Sequence, residues 1–533
     1  MKSLARVLMA LLIAAPLPAG AQERPTLELS LEEAVKRTLE NNADLAVEKL
    51  TPQASAYSVQ SARGVYDPLL SSSLSRTNRD TAATSVLEGG NTVTTETTIW
   101  NFQASQLFRT GGSFNLSFTN NKINTTSIFN TFNPSFTSSL NANLSQPLLR
   151  NFRIDSSRQQ LTVSKRNKEI SDIQFRQTVV NTVASVKQQY YDLIAAIDNL
   201  DAARKSLALA QKLLDENRIK VRVGTMAPLD VVQAESEVAT REEGVIVAEN
   251  QLAEAEDALK RQIFPGNDPE MWALRIVPTD RPQAEPVAVD VDAAIRSAIE
   301  KRTDIEVARR NLQNNDLTFE LARNQSLPAV DLVATYGTRG VGGTSITRQG
   351  LGGPIVGTVP GGYGDALSDV FARSFPTWTV GVNFSYPILN RSAKATEARA
   401  QLAREQAQAS LRRLEMQIAA EVRTAARAVQ TNMKRVESTR AARVLSAQRL
   451  DAEEKKFAAG MTTNFFVTQA QRDLAIAEVN ELRAIADYRK SLIAFERVQE
   501  AGGGGGGSIN VSVGGGGRAQ TVSGGGGGSF GQQ

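Results

Sequence analysis

Two hydrophobic patterns divide the chain, one with a helical period and one that alternates. Val179, Val186, Leu193, Leu200, Leu207, Leu214 and Val221 recur seven residues apart, with Val183, Tyr190 and Ile197 at the complementary heptad position. A run of this kind predicts a long helix packed against other helices along its length. The segments 155–222, 391–459 and 461–500 contain neither Gly nor Pro and are rich in good helix formers. At 1.5 Å per residue the first of them predicts a rod of roughly 100 Å. Gly224 ends this rod, and Pro228 suits the first turn of a returning helix over 228–262. Gly460 ends the second rod, and Thr462 or Thr463 suits the cap of a return over 463–500.

The alternating pattern predicts strands over 65–75, 135–147, 328–338 and 376–387. Phe136, Leu140, Ala142 and Leu144 share one face, and Thr137, Ser139, Asn141, Asn143 and Ser145 the other. Likewise Trp378, Val380, Val382, Phe384 and Tyr386 oppose Thr377, Thr379, Gly381, Asn383 and Ser385. An apolar face opposite a small polar one suits a membrane barrel with a wet lumen, and equally a strand of a soluble sandwich. Ile99–Phe108 and Ser113–Lys122 flank the short turn Arg109-Thr110-Gly111-Gly112 and form a further hairpin, either within such a barrel or folded over its mouth.

These elements occur twice. Residues 31–40 realign on 291–300 at an offset of 260, which also pairs Asp44 with Asp304 and Pro68 with Pro328. Gln146 and Pro147 meet Tyr386 and Pro387 at 240. Beyond the junctions the offset is 236: Val186, Leu193, Leu200, Leu214 and Val221 meet Val422, Val429, Val436, Leu450 and Phe457, and Gly224 meets Gly460. One apolar position is lost, where Leu207 meets Arg443. The expected organisation is a first repeat over 22–262 (helix 30–63, β segment 65–147, helical hairpin 155–262) and a Pro-rich connector over 263–288. A second repeat then covers 289–500 (helix 290–325, β segment 328–387, hairpin 391–500), and a Gly-rich tail over 501–533 is expected to be disordered.

Composition narrows the function. Among 533 residues there is no Cys and no His, and 60 Lys and Arg stand against 56 Asp and Glu. Disulfides, thiolate metal sites and the usual near-neutral general base are therefore excluded, and the near-balanced charge gives no sign of a nucleic-acid partner. No cofactor motif is present, and a phosphate-binding GxxxxGK is missing. Residues 1–21 predict an export signal: Lys2 and Arg6, an apolar run from Val7 to Ala15, and small residues Ala19-Gly20-Ala21 before the cleavage point. The remaining 512 residues hold no apolar stretch of about 18, so entry into a membrane requires strands.

The duplicated order of helix, strands, rod, turn and helix resembles the outer membrane efflux protein family, the TolC-like channels, from about Leu29 to Glu500. Gln146-Pro147-Leu148-Leu149 and Tyr386-Pro387-Ile388-Leu389 at the strand-to-rod junctions carry the likeness. So do the turns Val223-Gly224-Thr225, followed by Asp230 and Ala234, and Ala459-Gly460-Met461, followed by Gln469 and Ala470. The resemblance implies a mainly α protein with a membrane β-barrel: a homotrimer whose helical barrel in the periplasm continues into a shared barrel among outer-membrane lipids. It implies twelve strands at four per chain, more if the extra hairpin joins. It further implies a passive, non-enzymatic exit duct, docked through its tips on a periplasmic adaptor and served by an inner-membrane pump or ABC transporter.

Asp230 matches an acidic position in the family's closing network, but the partner positions carry Phe457 and Thr462, and the acidic constriction positions carry Phe466 and Gln469. A mainly apolar constriction at Phe465 and Phe466, gating by dewetting, is one expectation. The other is that both rings pack between helices while Asp230 favours a helix N-terminus. Two rivals to the duct share parts of the pattern. An exported coiled-coil adaptor or scaffold would leave the duplicated amphipathic strands unused, and an exported carboxylate enzyme has no Asp/Glu pair that stands out from the helical surface charge.

Overall fold

The computed structural model describes residues 25–84, 90–266, 269–281, 284–350 and 353–502. The export signal and all but the first two residues of the Gly-rich tail lie outside them.

The first repeat opens with β1 (Thr26–Leu29) and three short helices, α1 (Leu31–Asn41), α2 (Ala43–Glu48) and α3 (Leu50–Arg63). Four strands follow: β2 (Leu69–Ala82), β3 (Thr92–Leu107), β4 (Ser113–Thr125) and β5 (Phe132–Pro147). The long hairpin is α4 (Ser156–Arg222) with α5 (Pro228–Ile263). The connector holds α6 (Pro269–Ala273) and β6 (Arg275–Pro278). In the second repeat come α7 (Val291–Lys301), α8 (Thr303–Gln325), β7 (Ala329–Arg348), β8 (Ile355–Val359), α9 (Tyr363–Ala372) and β9 (Pro376–Ser385). A second hairpin, α10 (Arg391–Ala458) with α11 (Asn464–Glu500), ends the described chain.

At 67 and 68 residues, α4 and α10 are rods of about 100 Å. The heptad positions hold them to their neighbours. Val186, Tyr190 and Leu193 are buried with Leu29, Leu259, Ile263 and Ile276. In the second repeat Ile418 and Val422 are buried with Ala298 and Ile305, and Val429 and Val436 with Tyr488. Each hairpin also carries one buried tyrosine that ties it to the connector side. Tyr190 donates its hydroxyl to the Leu29 carbonyl at 2.9 Å, and Tyr488 to the Glu285 carbonyl at 2.6 Å.

Several elements differ from the sequence expectation. The first helix of each repeat is broken. Asn42 (φ −66°, ψ 123°) and Arg302 (φ −62°, ψ 133°) are extended residues between consecutive helices. Asn42 caps the next helix by accepting from the Leu45 amide, which compensates for the interrupted ladder. The connector is more than a linker, since β6 pairs in parallel with β1, 249 residues away by the Leu31–Asp280 hydrogen bond beside it. The glycine-rich composition of 339–375 suits a mobile loop, but the described residues there are built structure: β7 runs on to Arg348, and β8 and α9 follow. Gly340 and Gly342 mark close packing instead of slack. A Cβ on Gly340 would stand 1.9 Å from the Ala366 carbonyl oxygen and one on Gly342 2.4 Å from that of Gly362, so α9 sits directly on the β7 backbone.

The sheet runs β2-β3-β4-β5-β7, with β9 along the near half of the far β7 edge and β8 along its outer half. Every pairing in it is antiparallel. The hairpin β3–β4 therefore lies within the sheet, between β2 and β5. Among the described residues no helix is long and apolar enough to cross a membrane.

Candidate gate, docking tips and membrane sheet

The two far ends of the hairpins are built alike. In the first, Val223 closes α4, and Gly224 takes φ +80°. The Gly224 amide then bonds Val221 O at 3.0 Å and the Thr225 amide bonds Lys220 O at 2.9 Å. In the second, Ala459 closes α10 and Gly460 takes φ +75°. Its amide bonds Phe457 O at 3.1 Å, and the Met461 amide bonds Lys456 O at 2.8 Å. Both are left-handed helix ends that only glycine adopts without strain. Val223 and Met461 stand exposed at the tips.

Just behind the tips, Phe457 is only 8 % exposed and packs with Leu213, Leu450, Val467 and Ala470. Lys220 Nζ lies 3.4 Å from its ring centroid, a cation–π contact from the other hairpin. Phe465 and Phe466 are different: they are 62 % and 49 % exposed, with their rings edge to face at 5.5 Å. Within one chain neither ring is sandwiched between helices. Asp230 sits in the first turn of α5, and its carboxylate has no side-chain partner among the described residues. Gln469, half-buried, donates to Asp473 at 2.9 Å, and Asp473 also accepts from Arg449 at 2.7 Å.

A further ionic tie lies one to two turns behind Asp230, and no sequence pattern pointed to it. Glu237 of α5 is 5 % exposed and is held by Arg241 at 2.8 Å and by Arg472 of α11. Burial alone would raise the Glu237 pKa, but the bonds and charge of Arg472 and Arg241 outweigh it and hold the carboxyl below the usual glutamate range. Glu237 and Arg472 are 235 residues apart, so local periodicity carries no trace of the pair.

At the other end, both strand-to-rod junctions clamp onto the end of α8. Pro147 is the last residue of β5 and is buried, and the chain turns at Asn151 (φ 68°), whose amide bonds Asn324 Oδ1 at 2.7 Å. Pro387 lies exposed two residues beyond β9, and Asn390 (φ 43°) caps α10 while donating to the Ser326 carbonyl at 3.0 Å.

Across the sheet, register sorts the side chains by polarity. Ser71, Gln103, Ser117, Asn141, Gly337 and Thr377 form one row over all six strand widths. The next row, Leu70, Ala104, Leu116, Ala142, Tyr336 and Trp378, is apolar throughout. Further out on the apolar face, Trp100 and Phe136 meet Tyr363 of α9 at 5.2 Å and 6.1 Å, and the Tyr363 hydroxyl donates to Asn120 at 2.9 Å. The outer strands β2 and β9 are exposed along their length, with Leu70, Leu74, Trp378, Val380, Val382 and Phe384 uncovered.

A two-faced sheet thus joins a bundle of duplicated rods. The chain belongs to the outer membrane efflux protein family, whose sequence model matches residues 34–263 and 294–498. It is 26% identical over 209 residues to outer membrane protein TolC of Escherichia coli, an alignment covering 37% of this chain and 41% of that protein. It is 22% identical over 334 residues to outer membrane protein TolC of Vibrio cholerae, covering 62% of this chain and 70% of that one. Its fold is shared with the CmeC outer membrane channel of Campylobacter jejuni (17% identity, TM-score 0.62, 88% of this chain and 85% of that one). The outer membrane protein VceC of Vibrio cholerae shares it too (13% identity, TM-score 0.62, 89% and 96%).

Proposed function

We propose that the chain is one third of a trimeric exit duct, crossing the outer membrane as a β-barrel and the periplasm as a helical barrel. In this reading it serves a tripartite efflux or type I secretion system, as a passive channel opened by a periplasmic adaptor and an inner-membrane pump or ABC transporter. The carrying observation is the union, in one chain, of rods of about 100 Å with a sheet in which a row polar across all six strands adjoins a row apolar across all six. The polar rows suit a wet lumen and the apolar rows suit lipid. Membership of the efflux family and the names of its TolC relatives point the same way.

The tips at Val223, Gly224, Thr225, Ala459, Gly460 and Met461 are then the docking surface for the adaptor, with rigid caps that fix the approach of the two hairpins. Phe465 and Phe466, exposed in one chain, face the axis and form an apolar constriction with Asp230 and Gln469 at its rim. A ring of uncharged aromatic side chains resists wetting and so blocks ions without a hydrogen-bonded lock.

Conductance tests this reading. In planar lipid bilayers the purified protein is expected to give small, largely closed steps, and Phe465→Ser with Phe466→Ser is expected to raise the conductance several-fold. An unchanged closed state in the double variant would remove the gate. Absence of any channel from a protein that salt washes off membranes would favour the coiled-coil adaptor instead.

A further inference from the structure

The trimeric reading above leaves the size of the barrel open, and the sheet bears on it. We infer that each copy donates six strands, not four, so that three copies close a barrel of eighteen strands in place of twelve. The inference rests on that trimeric reading and sharpens it.

The inserted hairpin has the chemistry of barrel wall. If β3 and β4 were folded over the mouth, Phe102, Phe114, Leu116 and Phe118 would put an apolar row into water. Instead these residues continue the apolar face of β5, through register pairs Phe102↔Phe118, Phe118↔Leu140, Leu116↔Ala142 and Phe114↔Leu144. The opposite residues Asn101, Gln103, Ser105, Asn115, Ser117 and Thr119 continue the polar face. At the β2–β3 boundary Leu70↔Ala104 and Leu74↔Trp100 carry the apolar face on, and Ser71↔Gln103 and Ser73↔Asn101 the polar one. The turn between the two strands also lies at the rod end of the sheet. Thr110 bonds Gln146 at 2.8 Å, and a Cβ on Gly111 would stand 2.6 Å from the Asn151 carbonyl oxygen, so no space remains for a longer connection there.

The edges supply the closure. β2 and β9 present unpaired ladders and lipid-type side chains, which no membrane-spanning sheet leaves open. Six strands are too few to close on themselves, so β9 of one copy meets β2 of the next. Because barrel diameter grows roughly in proportion to strand number, eighteen strands give a bore about 1.5-fold that of twelve, in the range that leaves an open aqueous channel. The outer-membrane section is then never the narrow part of the duct, and sieving by size falls to the tips.

The chain has no cysteine, so introduced pairs report cleanly. In oxidised outer membranes, S71C/Q103C and S117C/N141C are expected to close within one chain, and S71C/N141C to stay open across three strand spacings of about 4.8 Å each. Closure of S71C/N141C with the other two pairs open would place the hairpin outside the wall and overturn the inference. Imaging of the detergent-extracted protein then counts the wall, with eighteen strands expected and twelve contradicting it. Particles without three-fold symmetry, if the first two pairs still close, would overturn the trimeric reading and the total of eighteen while leaving six strands per chain.

Discussion

The two repeats descend from one pattern, yet they have kept different parts of it. Their tips are nearly superposable in chemistry, with a glycine at φ +80° and one at φ +75° and the same pair of amide bonds behind each. Their sheet contributions are unequal, four strands against three, two of which share one edge of β7. Between these extremes the helical framework has diverged by compensated exchange. The break between helices is held in the first repeat by Asn42, which donates to Gln262 at 2.8 Å. In the second it is held by Arg302, 1 % exposed, which reaches Asp304, Glu421 at 2.8 Å and the Val498 carbonyl. Where Leu207 stands on the first rod, Arg443 stands on the second and bonds Glu481 of α11; the 236-residue offset places Val245 opposite Glu481. Backbone geometry at the tips is the part that tolerated no exchange.

The largest effect should come from the helix break at Arg302, and the contrast with Asn42 shows how each break is held. Arg302→Ala leaves Asp304 and Glu421 without their buried cation and is expected to cost about 3–5 kcal/mol, read as a fall in the melting temperature of the detergent-solubilised protein. Asn42→Ala removes a cap and is expected to cost about 1 kcal/mol. Equal losses at both positions would mean that the exchange of Asn for Arg changed nothing in how the break is held.

The tie between hairpins comes next. Glu237→Gln is expected to cost about 2 kcal/mol at neutral pH by weakening its bonds to Arg472 and Arg241. The sign with pH follows from the lowered pKa. Stability from the ionised Glu237 is complete above its unfolded-state pKa and is lost as pH falls through the folded one. The gap between wild type and variant should therefore narrow only as pH falls below the ordinary glutamate value of about 4.3, and a gap that does not narrow there would rule out the charge as its source.

The smallest effect tests the exchange on the rods. Arg443→Leu alone is expected to cost about 1 kcal/mol, because Glu481 keeps only Arg440 at 3.4 Å. Adding Glu481→Val, which restores the first-repeat pair, should recover most of it in a double-mutant cycle. Simple additivity of the two losses would show that the positions are not coupled.

Much of this architecture is legible in the sequence because its signals are periodic. Gly- and Pro-free stretches bracket the rods, heptads mark a packed face along the first, and single glycines in Gly-free surroundings mark the tips. What periodicity cannot reveal is contact between remote segments. The parallel pairing of β1 with β6 and the bond from Glu237 to Arg472 each join parts more than 230 residues apart. The breaks at Asn42 and Arg302 are hidden for another reason. Both residues sit among good helix formers, and their extended backbone depends on what their side chains reach. Around 340–343 composition misleads, since glycines that read as slack are there to let α9 approach the strand. For Phe465 and Phe466 the sequence left two fates, and within one chain both rings are exposed.

The central claim is that three copies make one continuous duct, and its most direct test is single-particle electron microscopy of protein extracted from outer membranes in detergent. The account predicts three-fold particles more than about 100 Å long, hollow along the axis, with a detergent belt at one end only. Solid rods, or monomers without a belt, would contradict it.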